Sequence, residues 1–145
     1  MTACLLDTND LIHLISAGTP EHAAATAAVG RILASGSRVV IAPQSIYEFW
    51  SVATRPVAAN GLGWTVDRAE SAVETFRGKF PILHEPPEVL WIWLGLVVSF
   101  DLKGKRIHDA HLLATMKANG VSTLLTLNAS DFPAMDDLAI LTPEL

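Results

Sequence analysis

Apolar residues in this chain come in two rhythms, short unbroken runs and longer stretches spaced for a helix face, and the two alternate. Residues 3 to 6, Ala3-Cys4-Leu5-Leu6, form a run with no polar interruption, the pattern of a strand buried on both faces of a parallel sheet. The run ends abruptly in Asp7-Thr8-Asn9-Asp10. Asp7, Thr8 or Asn9 can cap a helix through Ser16 that buries Leu11, Ile12, Leu14 and Ile15, and Gly18 stops it. Thr19 ahead of Pro20 starts a second, Ala-rich helix that runs to Gly36.

Ser37 to Ala42, centred on Val39-Val40-Ile41, reads as a second buried strand. Pro43 opens the next helix where a missing N–H costs nothing. Ile46, Phe49, Trp50 and Ala53 make its core face, with Glu48 beside that face. Residues 56–63 form a loop, Thr65 caps a helix through about Gly78, and Pro81 to His84 is a weak third strand that its proline demotes to a sheet edge. Pro86-Pro87 introduce a helix from Val89 to Phe100, apolar nearly all round and so buried inside the domain or under a partner. Asp101 to Arg106 is a short basic loop, and Ile107 to Asn119 a helix closed by Gly120. Ser122 to Leu127 is the fourth strand, Asn128 to Met135 a loop or single helical turn, and Ala139-Ile140-Leu141 a short last strand. Strands alternating with helices in this order predict an α/β three-layer sandwich around a mostly parallel sheet of four to five strands.

Length and composition add little to this but exclude a good deal. A chain of 145 residues with 50% hydrophobic and 17% charged residues matches one compact domain, residues 1 to 145. A net charge of -5 leaves no global footprint for nucleic acid, so a phosphate-bearing substrate needs a local basic patch or a metal. The lone Cys4 forms no internal disulfide and suits a reducing compartment. The start lacks the features of a secretory signal, and no apolar run approaches the roughly 20 residues that span a bilayer. A soluble cytoplasmic protein with no membrane association is the expectation.

The candidate chemistry comes from where the acids fall. Residues that directly follow a strand lie at the carboxyl edge of a parallel sheet, where ligand sites of open α/β folds collect. Asp7 follows the first strand, Glu48 lies in the helix after the second, and Asn128 and Asp131 follow the fourth. Asp109 opens a helix that must descend from the same rim, and it heads a stripe continued by Leu112, Leu113 and Met116. Carboxylates gathered there repel and raise one another's pKa unless a cation neutralises them. Oxygen ligands alone select Mg²⁺ or Mn²⁺, and the chemistry that most needs such a site is phosphoryl transfer or phosphodiester hydrolysis.

The ordered set of Leu5-Leu6-Asp7-Thr8-Asn9, Tyr47-Glu48-Phe49, His108-Asp109-Ala110, and Leu124-Leu125-Thr126-Leu127-Asn128 followed by Asp131-Phe132 resembles the PIN-domain ribonucleases. Within them it looks most like the VapC-type toxins of bacterial toxin-antitoxin pairs. The resemblance implies a metal-dependent endoribonuclease with Asp7 and Asp109 as direct Mg²⁺ ligands and Glu48 on a second ion or on the attacking water. At the fourth corner, where the family often has Asp, the chain has Asn128; Asp131 supplies the carboxylate instead, or Asn128 holds a metal-bound water. Thr8, Asn9 and Thr126 would orient these ligands. The resemblance also implies an RNA substrate, a cognate antitoxin protein and a homodimer.

Each piece has a plainer reading. Asp7 alone is an N-cap, Glu48 a solvated helix residue, Asp109 a dipole partner and Asp131 a turn residue. Lys103, Lys105 and Arg106 are ordinarily a solvated loop, but beside an acidic site they are the candidates for phosphate contacts that position RNA. His108 and His111 have no third nitrogen or sulfur ligand and read as hydrogen-bonding residues. The alternative to an enzyme is a PIN-like module that binds RNA or protein after losing catalysis, with Asn128 as the sign of decay.

Overall fold

A computed structural model describes residues 2–144. Its sheet has four parallel strands, β1 (Ala3–Leu6), β2 (Arg38–Ile41), β3 (Thr123–Leu125) and β4 (Ala139–Leu141), in the order β2-β1-β3-β4. Six α-helices join them: α1 (Thr8–Ile15), α2 (Pro20–Ala34), α3 (Pro43–Thr54), α4 (Val66–Lys79), α5 (Val89–Ser99) and α6 (Arg106–Ala118). The predicted three-layer sandwich is the one observed.

The unbroken apolar runs are explained by what lies on each side of the sheet. Successive strand residues point to opposite faces. Cys4, Leu6, Val39, Ile41 and Leu125 join one core with residues of α1 to α4, including Leu11, Ile32, Phe49 and Phe76. Leu5, Val40 and Leu124 join the other core with Val89 and Leu96 of α5 and Leu112, Leu113 and Met116 of α6. Both cores exclude water, so no strand position in β1 can be polar until the chain leaves the sheet at Asp7.

Helix starts follow the sequence signals. Thr19 Oγ1 accepts from His22 N at 3.0 Å and Thr65 Oγ1 from Arg68 N at 3.2 Å, each filling an orphan donor of its helix. Pro20 and Pro43 take first-turn positions. Gly120, at φ +68°, adopts the left-handed turn that ends α6.

Two elements differ from expectation. The segment 81–84 is not a strand but a single parallel bridge, Ile41 to Ile82, beside the outer edge of β2. Ile41 N donates to Pro81 O and Leu83 N to Ile41 O, and no longer ladder forms. Proline at its head removes a donor, which is the reason for the short pairing. Helix α5 buries only Val89 and Leu96 fully, while Trp91 is 68% and Val98 72% exposed. Its apolar outer face is therefore uncovered by the rest of the chain.

The strand order sets the position of the site. The chain moves outward from β1 to β2, then crosses back to place β3 on the other side of β1. That reversal leaves a crevice at the carboxyl ends of β1 and β3, the usual place for ligands in open α/β sheets.

Candidate active site

Asp7 leaves β1 at this crevice. Its N–H extends the ladder to Leu125 O at 3.1 Å, which fixes its backbone against β3. Its side chain then caps α1: Oδ1 accepts from Thr8 N at 2.7 Å, and Oδ2 accepts from the Thr126 hydroxyl at 2.8 Å across the crevice. Thr126 is fully buried, and its Oγ1 also accepts from Asn128 N at 3.0 Å. One hydroxyl thus ties the first strand's acid to the turn that carries the fourth corner. Burial raises the Asp7 carboxyl above its ordinary range, the Thr126 and Thr8 donors oppose the rise, and Glu48 and Asp131 add to it.

Glu48 is held at both oxygens. The Thr8 hydroxyl donates to Oε2 at 2.9 Å, and Gln44 Nε2, one helical turn earlier, donates to Oε1 at 2.6 Å. Gln44 Nε2 also reaches His108 O at 2.8 Å, joining α3 to the start of α6. Thr8 is one of the orienting residues expected from sequence, and Gln44 is a further one. Its i, i+4 spacing to Glu48 was the available signal.

Asp109 sits half-buried in the first turn of α6. Burial comes first, then the charges of Asp131, Asp7 and Glu48, in raising its carboxyl to about 6, with Arg106 opposing. Asp7, Glu48 and Asp131 all lie near enough to Asp109 to act on its carboxyl. Asp131 ends a 3₁₀ turn over Ala129–Asp131; Arg106 Nη2 holds its backbone carbonyl at 3.2 Å, leaving the carboxylate exposed. Asn128 is exposed too, and its recorded contact is through its backbone. Lys103 pairs loosely with Asp101 at 3.4 Å on the surface, and Lys105 is likewise exposed on the loop into α6.

Asn9, expected to orient a ligand, makes no side-chain hydrogen bond among the described residues, and Asp10 stands in the structural position instead. Asp10 Oδ2 accepts from Asp7 N at 2.9 Å, completing a reciprocal capping box with Asp7. Asp10 is fully buried, and its Oδ1 has no hydrogen-bond partner among the described residues. Burial pushes its carboxyl up to about 8, against the bond from Asp7 N and with the Asp7 charge adding to the rise.

A family model described as PIN domain matches residues 4–138. The chain belongs to the PIN domain family. No curated protein matches it significantly in sequence. Among solved structures, this PIN domain is similar to VapBC2 from Rickettsia felis bound to a promoter DNA fragment, at 15% identity and TM-score 0.71, over 99% of this chain and 100% of that one. It is similar to a toxin-antitoxin complex from Klebsiella pneumoniae at 23% identity and TM-score 0.66, covering 97% and 98%. It also resembles Mycobacterium tuberculosis VapC20, described as a Sarcin-Ricin loop cleaving toxin, at 19% identity and TM-score 0.59, covering 83% and 86%.

The donor set of this PIN domain fits a hard divalent ion in its chemistry. All candidate ligands are oxygens, and among the described residues none of Asp7, Glu48, Asp109 and Asp131 is paired with a Lys, Arg or His side chain. Burial raises the Asp109 and Asp7 carboxyls, and the neighbouring acids add to the rise. Among the described residues no three His, Cys, Asp or Glu groups form a closed ligand cluster.

Proposed function

We propose that this PIN domain is a Mg²⁺- or Mn²⁺-dependent endoribonuclease, and that it is the toxin of a toxin-antitoxin pair. The observation that carries the reading is the hydrogen-bonded frame at the carboxyl edge of one sheet, in which Thr126 holds Asp7, Thr8 and Gln44 hold Glu48, and Gln44 also grips the His108 carbonyl next to Asp109. Asp7 and Asp109 would hold the ion directly, with Glu48 and either Asn128 or Asp131 completing the set. A bound Mg²⁺ acidifies water and neutralises the charge that develops on the phosphoryl oxygens. Thr126 fixes Asp7, while Thr8 and Gln44 fix both oxygens of Glu48, so the acid next to the attacking water cannot swing away. Lys103, Lys105 and Arg106, on the loop feeding α6, would contact flanking phosphates. Water oxygen bonds to phosphorus as the P–O3′ bond breaks, and a proton passes to the departing 3′ oxygen. The products are 5′-phosphate and 3′-hydroxyl ends.

The toxin reading is supported by the likeness to a VapBC complex and to another toxin-antitoxin complex over nearly the full length of both chains. In this reading the 145-residue chain is one cytoplasmic domain, a homodimer held by a cognate antitoxin. The uncovered apolar face of α5 supplies surface for protein contacts. No helix among the described residues is long and apolar enough to cross a membrane.

The test is cleavage of single-stranded RNA by the purified protein with Mg²⁺ and with excess EDTA. Cutting with Mg²⁺ alone supports the proposal. Binding of RNA without turnover in either buffer would favour the binding module.

A further inference from the structure

Beside the acids, on the other side of the α6 start, lies a cavity of about 470 Å³. Its walls are mostly apolar, from Pro86, Pro87, Leu90 and Trp93. Its polar groups are Glu85, His108 and His111, and His111 Nε2 is paired with Glu85 Oε1. The walls are fixed in place: Trp93 Nε1 donates to Ile107 O at 2.8 Å, and Asn119 Nδ2 holds His84 O at 2.8 Å at the head of the proline segment. Nothing in the catalytic reading uses this cavity.

His108 links it to the site. This residue lines the cavity, directly precedes Asp109, and offers the carbonyl that Gln44 grips while holding Glu48. A group bound here would lie one residue from a candidate metal ligand. Flat proline and tryptophan surfaces suit a flat ring, and the carboxylate and imidazoles nearby suit the donors and acceptors on a base edge. The volume exceeds what one ring needs and leaves room for its sugar.

We propose that this cavity is the subsite for one unstacked nucleobase of the RNA adjoining the scissile phosphate. The inference rests on the ribonuclease reading and adds where the substrate is read. A flanking base enters between Pro86, Pro87 and Trp93 and meets Glu85 and His111 along its edge. The phosphate next to it then falls beside Asp109.

Two measurements on the full chain test this. The first compares cleavage of a short single-stranded RNA with a series carrying one abasic residue at each position around the cut. Wild type is expected to lose about tenfold in kcat/KM at one position only, toward the lower end of what a stacked base contributes. Leu90→Arg, at a wall position 55% exposed and so compatible with folding, should cut the intact RNA at the abasic rate and no longer distinguish the two. Val66→Arg, 61% exposed and on α4, should behave as wild type. Equal sensitivity in Leu90→Arg and wild type overturns the proposal, as does an equal loss on intact and abasic RNA. The first of these is also the result expected if the cavity takes a side chain of a protein partner.

The second measurement follows the imidazole and indole NMR signals during titration with adenosine and uridine 5′-monophosphates in the presence of EDTA. Shifts at His111, His108 and Trp93 that vanish in Leu90→Arg support the subsite even if no RNA is cut. Failure of the nuclease reading is thereby kept apart from failure of this one. Unmoved signals overturn the subsite.

Discussion

Replacing Asp10 with Asn should stabilise the protein, and increasingly so as pH rises. Asp10 is a fully buried acid with an unpartnered Oδ1, and its carboxyl is raised to about 8. In the unfolded chain the same group titrates near 3.9. Between those values the folded state binds the extra proton, so this group's contribution to stability falls as pH rises. It falls by about 1.4 kcal/mol per pH unit, and levels off above about pH 8. Between pH 5 and pH 7 the ceiling is therefore about 3 kcal/mol. Buried sites behave as more polarisable than dry protein, so about 1–2 kcal/mol is the working expectation. Asn keeps an oxygen to accept from Asp7 N, and any cost of its unpaired amide is independent of pH. Urea unfolding of wild type and Asp10→Asn at pH 5, 6, 7 and 8 measures the difference. A stability gap that widens with pH at unchanged m supports the reasoning, and a flat gap refutes it.

Other outcomes follow from the same geometry. Thr8→Val removes the hydroxyl that holds Glu48 and Thr126→Val the one that holds Asp7; each should lower cleavage about 10–100-fold in a steady-state assay, and Thr126→Val, at a fully buried position, should also cost about 1–3 kcal/mol in denaturant unfolding. Cleavage should rise with pH through about 6, because Asp109 must lose its proton to hold an ion, and a profile flat from pH 5 to 7 would contradict this. Mg²⁺ should raise the melting temperature more at pH 7 than at pH 5, since protons compete with the ion for the same carboxylates. Phe49→Ala empties a fully buried position where the ring packs edge-on against Phe76 at 5.1 Å, and should cost about 3–5 kcal/mol in denaturant unfolding.

The parts of this protein legible in its sequence are those fixed by local rules. Unbroken runs such as Leu5-Leu6 and Val39-Val40-Ile41 betray strands covered on both faces, and acids just beyond them must lie on the sheet's carboxyl rim. Asp7, Glu48, Asp109 and Asp131 are candidates on that ground, without any spacing motif. What escaped depends on tertiary burial. Asp10 has the right spacing for a capping box with Asp7, but only the packing of α1 reveals that it is fully buried. Gln44 reads as an ordinary first-turn residue until α6 arrives to share it with Glu48. Helix α5 is apolar on every side, and sequence alone left open whether the domain or a partner covers it; within the chain, much of it stays uncovered.

In the proposed site, Asp7, Glu48 and Asp109, with Asn128 or Asp131, come from distant parts of the chain to hold one cation. Titration of Mn²⁺ into the protein, followed by loss of the free-ion paramagnetic resonance signal, tests it most directly. The account predicts binding at pH 7 that Mg²⁺ displaces, that weakens below pH 6, and that Asp7→Asn and Asp109→Asn each abolish while the fold persists. Absence of binding in the wild type, or binding that survives both substitutions, would contradict it.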